Sequence, residues 1–377
     1  MSRMKTLGLY LHVPFCKSKC HYCDFCSFPR MDGETVDKYC HALANEIAAY
    51  GREMTAYTVN TVYFGGGTPT YIGADRLCAL LFEVAKHFSL AEGAEISAEC
   101  NPATASAEGL KDLRGAGFNR LSIGAQSMND RELALLGRAH SVSDFQRTFS
   151  DARRAGFDNL SADLMFGIPE QTEESFHKTL QGLVALDPEH ISAYGLKIEE
   201  GTPFFEKKDS LCLPDEEAER GMYMHAVDFL GQNGYARYEI SNFAKRGRES
   251  RHNLRYWERE DYLGMGLAAY SCLGNERFSN VTDMARYLEG VRVAERESVS
   301  EHDALAEAVM LGMRLEKGLD FSALAEAYGE GACEYQRRLS RYTEGGFVRK
   351  TDRGYAFTSE GMYVSNAILS DILDFEA

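Results

Sequence analysis

Six strand-like runs alternate with six helix-like runs across the first 240 residues, and that alternation limits the fold more than any other feature. Apolar or β-branched runs at 7–13, 61–64, 95–98, 120–124, 160–166 and 190–196 are followed by stretches of helical spacing at 34–50, 74–87, 107–116, 143–155, 172–186 and 215–233. Serial βα units imply parallel strands covered by helices. A complete or partial (β/α) barrel suits this series slightly better than an open sheet, which periodicity alone does not separate from it. In either case the site is expected at the strands' C-terminal ends. Cys16, the segment Gly65-Gly66-Gly67-Thr68-Pro69, Glu99, Gln126 and Asp163 fall at or near those ends.

The loop after the first strand carries Cys16, Cys20 and Cys23 in the spacing C-x3-C-x2-C, tight enough for three sulfurs to share one inorganic cofactor. Three thiolates on a cubane cluster leave one iron open, and a chelating substrate can bind it. A structural zinc site using Cys26 as fourth ligand is the alternative. Four cysteines in one short run, without a separated second pair, make a cramped zinc site.

Charge and length narrow the class. The 377 residues carry 41 Lys and Arg against 57 Asp and Glu, a formal charge of −16, which disfavours nucleic acid and anionic lipid as partners. No apolar run approaches the roughly 20 residues of a membrane span. Ten cysteines in a chain this large, without a signal-like start and with four clustered in one loop, suit a reducing cytoplasm better than a disulfide framework.

Residues 1–240 are read as the βα domain and 241–300 as an irregular cover or edge. Residues 301–377 form a small α+β domain of helices around a hairpin at 347–350 and 355–358, in winged-helix-like order. Its eight Lys and Arg against 14 Asp and Glu remove the electrostatic basis for DNA binding.

With Tyr22 before the last loop cysteine and the glycine segment at 65–69, the cysteine loop resembles that of the radical S-adenosylmethionine (SAM) superfamily. Tyr10 to Phe15, Glu99-Cys100-Asn101-Pro102, Arg120 to Ser127, Leu136-Gly137-Arg138-Ala139-His140 and Asp163 to Pro169 extend the likeness to the oxygen-independent coproporphyrinogen III oxidase-like group, and within it to the haem chaperone branch. The resemblance implies a partial (β/α)6 barrel and a [4Fe-4S] cluster on Cys16, Cys20 and Cys23, whose open iron takes the amino and carboxylate groups of SAM. It places Tyr10, Tyr22, Gly66 and Glu99 at SAM-contacting positions, with Phe25 and Gly65 beside them. Gly67, Thr68, Gln126, Arg138 and Asp163 fall where the oxidase contacts a second SAM; Arg138 and Asp163 could instead pair as ions. Its expected partners are haem or a porphyrin, haem-accepting proteins, and an electron donor such as flavodoxin or ferredoxin.

Cys26 departs from the oxidase pattern, which has its extra cysteine one residue earlier, and is read as a nonligating thiol. His12 is read as a group behind the cluster. Cys40, Cys78, Cys100, Cys212, Cys272 and Cys333 are read as small buried hydrophobes, and Met310 and Met313 as helix core. The segment His252-Asn253-Leu254-Arg255-Tyr256-Trp257 resembles a motif linked to haem binding in the chaperone branch. On that likeness His252 is a haem-ligand candidate, with Tyr256 and Trp257 able to pack on a porphyrin face, as against simply anchoring the cover. Tyr270 stands where many branch members carry His. Fifteen residues before Cys16, shorter than in the oxidase, favour haem binding and transfer over porphyrinogen oxidation.

Overall fold

The computed structural model describes residues 5–102 and 104–375. Strands β1 (Lys5–Val13), β2 (Tyr57–Gly66), β3 (Leu90–Cys100), β4 (Arg120–Gln126), β5 (Leu160–Phe166) and β6 (His190–Gly195) alternate with helices α1 (Gly33–Glu53), α2 (Ala74–His87), α3 (Ala107–Ala116), α4 (Val142–Arg154), α5 (Glu173–Val184) and α6 (Glu216–Gln232). All six strands run parallel in sequence order.

The region read as an irregular cover is largely more of the same sheet. After β7 (Asn242–Ala244) and helix α7 (Arg251–Trp257) come β8 (Tyr262–Met265), β9 (Tyr270–Leu273), β10 (Glu276–Asn280) and β11 (Val293–Ser298). The order is β11-β10-β9-β8-β1-β2-β3-β4-β5-β6-β7, ending on the two-residue strand Ala236–Arg237. Strand β8 is parallel to β1, whereas β7 is antiparallel to β6. Hydrogen bonding thus continues outward at both ends, and the barrel stays open between β6 and β1. The core is one cluster reaching from Leu7 to Tyr287, in which Leu263, Met265 and Phe278 pack with the βα units.

Glycines allow the close contacts at this seam. A Cβ on Gly264 would lie 2.1 Å from the Tyr270 carbonyl oxygen, and one on Gly8 2.6 Å from Cδ of the buried Arg255. The C-terminal segment has a separate core around Val309, Met313, Leu339 and Phe357. Helices Glu301–Gly312, Phe321–Tyr328 and Gly331–Ser340 pack with a small sheet in the order Leu319–Asp320, Gly354–Phe357, Val348–Lys350, whose first strand lies between the first two helices in the chain. Among the described residues no helix is long and apolar enough to cross a membrane.

Candidate cluster and ligand cavity

The cysteine loop is held at both ends. At its root, His12 Nε2 is 2.9 Å from the Cys26 carbonyl oxygen and Nδ1 is 3.1 Å from the Tyr10 hydroxyl. The amide N–H of Gly67 donates to Val13 O at 3.0 Å, and that of Thr68 to Phe15 O at 2.8 Å. This approach requires glycine: Gly66 has φ 109°, and a Cβ on Gly67 would lie 2.8 Å from both N and O of Phe15. On the far side His21 N donates to Leu136 O at 3.0 Å, and Phe204 N donates to His21 O at 3.0 Å. Gly137 is needed there, because a Cβ would sit 2.8 Å from the His21 ring.

Cys16, Cys20 and Cys23 open onto one cavity of about 350 Å³ at the C-terminal ends of the strands. Tyr22, Phe25, Gly66, Gly67, Thr68, Glu99, Gln126, Arg138 and Asp163 also line it. Tyr10 and Gly65 do not; the Tyr10 ring lies behind Gly65, where a Cβ would meet its Cε2 at 3.0 Å. Cys26 packs against the main core beside the cavity, with its carbonyl held by His12.

The cysteine spacing suits a multi-iron cluster. Among the described residues no three His, Cys, Asp or Glu side chains are grouped closely enough to hold a single metal ion. A cubane gives each thiolate its own iron, so the sulfurs need not converge on a point. Burial raises the Cys16 thiol and pushes Cys23 up to about 11, so without metal charge both stay protonated. Thr68 Oγ1 and Arg138 Nη1 each lie 3.6 Å from a sulfur, of Cys16 and Cys20 respectively.

Two differently held acids share the cavity with the thiols. Glu99 accepts from the Tyr63 hydroxyl at 3.0 Å and from Gly66 N at 3.1 Å; burial pushes its carboxyl up to about 7. Asp163 accepts from Ser122 (2.8 Å), Ser161 (3.1 Å) and Ser192 (2.7 Å). Arg138 donates to Gly124 O at 2.9 Å, and among the described residues no ion pair joins it to Asp163. Glycine 124 makes that room, since a Cβ would lie 3.0 Å from Arg138 Nη2. The β4–β5 ladder slips between Gly124 and Gln126, and Gln126 adopts φ 65° at the cavity wall. The N–H groups of Gly66, Gly67 and Thr68 are thus all spent inside the protein.

The later motif enters the cavity through a residue other than the expected one. Glu95, buried inside the barrel, accepts from the N–H groups of Arg251 and His252 at 3.1 Å each, fixing the start of α7. So placed, Asn253 lines the cavity and His252 does not. His252 is 1% exposed, with Nδ1 2.9 Å from Thr61 Oγ1 and Nε2 2.8 Å from the Tyr256 hydroxyl. As folded here it has no nitrogen free for a haem iron. Tyr256 is edge-on to His252 and Tyr262, and Trp257 lines a groove against the C-terminal segment, so neither ring faces the thiols. Tyr270 is 60% exposed and outside the cavity lining. The scattered cysteines are free thiols, and Cys212 and Cys333 are exposed, contrary to their reading as buried hydrophobes.

Sequence reasoning quoted Asn101, Arg120, Ser122, Met165 and Asn253 within motifs but gave them no role, and it missed Tyr63, Ser192 and Tyr194; all eight are at the cavity. Strand periodicity contains the signal for most of them: Arg120, Ser122, Gly124 and Gln126 alternate along β4, as Asp163 and Met165 do on β5.

Residues 10–183 match the family described as the Radical SAM superfamily, and 299–364 match the HemN C-terminal domain. The chain is 34% identical to the protein named heme chaperone HemW of Bacillus subtilis, over 97% of this chain and 98% of that one. It is 34% identical to heme chaperone HemW of Mycobacterium tuberculosis, over 97% and 94%. Among solved structures it is similar to coproporphyrinogen III oxidase (HemN) from Escherichia coli, described as a radical SAM enzyme. There the TM-score is 0.85 at 25% identity, over 97% of this chain and 89% of the other.

Proposed function

The chain belongs to the radical SAM superfamily, in the coproporphyrinogen III oxidase-like group and its HemW branch, and from that membership we propose that it binds haem beside a SAM-ligated [4Fe-4S] cluster and passes haem to haem proteins. The observation that carries this reading is the sharing of one cavity by Cys16, Cys20 and Cys23 with Asn253 of the later motif. Cys16, Cys20 and Cys23 would hold the cluster and leave one iron for the amino and carboxylate groups of SAM. The cluster's chemistry there is one-electron reduction of the sulfonium.

The remaining work falls to the protein. The Glu99 carboxylate suits the ammonium end of SAM, Arg138 a carboxylate, and Asp163 a diol. Tyr22 packs with Leu136, Met165, Ile168 and Phe204, screening the thiols from water. Phe25 is 58% and Tyr194 42% exposed at the cavity; this aromatic rim suits a macrocycle too large to enter. We place the protein in the cytoplasm, with a flavodoxin or ferredoxin as electron donor.

Haem added to the reconstituted protein, followed by gel filtration, tests the reading. A Soret band that travels with the protein is expected, and its absence sinks the haem role. Porphyrinogen oxidation is the second reading, favoured by the fold match to the oxidase. Anaerobic assay with coproporphyrinogen III, SAM and reductant decides it, through release of carbon dioxide and formation of protoporphyrinogen IX.

A further inference from the structure

Arg120 is 1% exposed and lines the cavity, yet among the described residues its guanidinium has neither a hydrogen-bond nor an ion-pair partner, and its Nε is buried and unsatisfied. A buried guanidinium with unused donors is costly and calls for an acceptor. The acidic and phenolic groups around it include Glu95, Tyr63, Tyr238, Asp163 and Glu99, the last held by Tyr63 and the Gly66 amide. Each is committed elsewhere: Glu95 to the start of α7, Asp163 to three serine hydroxyls, Tyr63 to Glu99, and Tyr238 to His190 and the Ser250 amide. Glu95 and Asp163 offset the charge of Arg120 through space and leave its N–H groups free.

We propose that Arg120 binds a carboxylate of the ligand, in a part of the cavity that Arg120 shares with Ser122, Ser192, Tyr194 and Asn253. The planar fork of a guanidinium matches a carboxylate in two parallel hydrogen bonds. Asn253 and Tyr194, which line the same cavity, bring an amide and a hydroxyl. Tyr194 is partly exposed, which marks an opening of the cavity at β6. A cavity of about 350 Å³ is at the small end of ligand pockets, so a large ligand sends in only part of itself. This assignment rests on the haem reading, in which the acid is a propionate arm while the ring stays at the rim. The other acid available is the α-carboxylate of SAM.

The test compares haem with its dimethyl ester on the wild-type reconstituted protein, by Soret titration, and repeats both titrations and a SAM titration on Arg120→Gln and Arg120→Lys. The expected result is haem bound about tenfold more tightly than the ester, an advantage lost in Arg120→Gln and partly kept in Arg120→Lys, with SAM affinity unchanged. Equal binding of acid and ester, with SAM weakened by Arg120→Gln, overturns the propionate assignment and gives the carboxylate to SAM. Equal binding with no change in either ligand leaves Arg120 solvated by water alone and overturns the proposal. If neither haem nor ester binds the wild type while SAM is unaffected by Arg120→Gln, the haem reading and the carboxylate site both fall. The acid–ester comparison needs no variant, so misfolding of Arg120→Gln does not blunt the test.

Discussion

The ring of Tyr63 lies against that of His252, centroids 5.2 Å apart and planes 21° from parallel. One aromatic therefore joins Glu99, which its hydroxyl serves, to a motif almost 190 residues further along the chain. Tyr63→Phe keeps the stack and deletes the donor. A hydrogen bond to a carboxylate is worth about 1.5–3 kcal/mol, so SAM affinity should drop about tenfold or more, with the melting temperature nearly unchanged. Calorimetric titration measures it, and an unaltered dissociation constant would remove Glu99 from the SAM contacts.

Gly67→Ala should impair cluster loading. Its new methyl meets the Phe15 backbone, which cannot yield as a side chain can, at a cost of about 1–3 kcal/mol next to Cys16. Gly115, inside α3 with open space around it, is the control: Gly115→Ala should stabilise by about 0.5–1 kcal/mol. Iron and sulfide content after reconstitution, read beside thermal melts, separates the two. Equal iron content in both variants would free the glycine segment from any role at the cluster.

Cys23→Ser should abolish a stable cluster, whereas Cys26→Ser should retain iron, sulfide and a spectrum perturbed by SAM. Loss of that perturbation in Cys26→Ser alone would make Cys26 a participant in the site.

Acid should destabilise the protein partly through His252. Burial first, then Arg255 and Arg120, push its imidazole down to about 3, against about 6.5 in an unfolded chain. The unfolded form therefore takes up a proton that the folded form refuses. The contribution of His252 is complete above pH 6.5 and is lost toward pH 3, by up to about 1.4 kcal/mol per pH unit. Glu99, raised to about 7, has the opposite sign: its burial costs stability as pH rises from about 4.5 to 7. Melting curves at pH 7 and pH 5 should show a smaller loss for His252→Gln than for the wild type. Equal losses would mean that His252 does not stay neutral in the fold.

The best-read elements are those with local punctuation. Helix α3 begins on Ser106, whose side chain accepts from Gly109 N, and ends on Gly117 at φ 116°, so both ends are written in the chain and match the expected 107–116. Strand β3 is longer than expected because Leu90 to Ala94 carry no alternation, and Leu90 joins the sheet by pairing with Val59 of β2 ahead of a register shift. Strand β8 was hidden by Gly264 and Gly266, which suggest a loop; Gly264 instead marks close contact between neighbouring strands. At the site, residue types and spacing identified the thiols, but not which side of α7 faces inward. Glu95, 157 residues before His252, sets that orientation and turns Asn253 rather than His252 to the cavity.

The placing of β1 between β2 and β8 bears on how the chain is made. The cysteine loop leaves the ribosome more than 200 residues ahead of residues 262–265, yet the strand that carries it gains its second neighbour only when those residues follow. The Tyr39 hydroxyl, which donates to His12 O at 2.7 Å, must wait equally long for the Leu267 N–H that it accepts at 3.0 Å. Nascent chains stopped before residue 262 therefore keep β1 as a sheet edge, and the root of the loop should stay open to protease until residues 262–267 are in place.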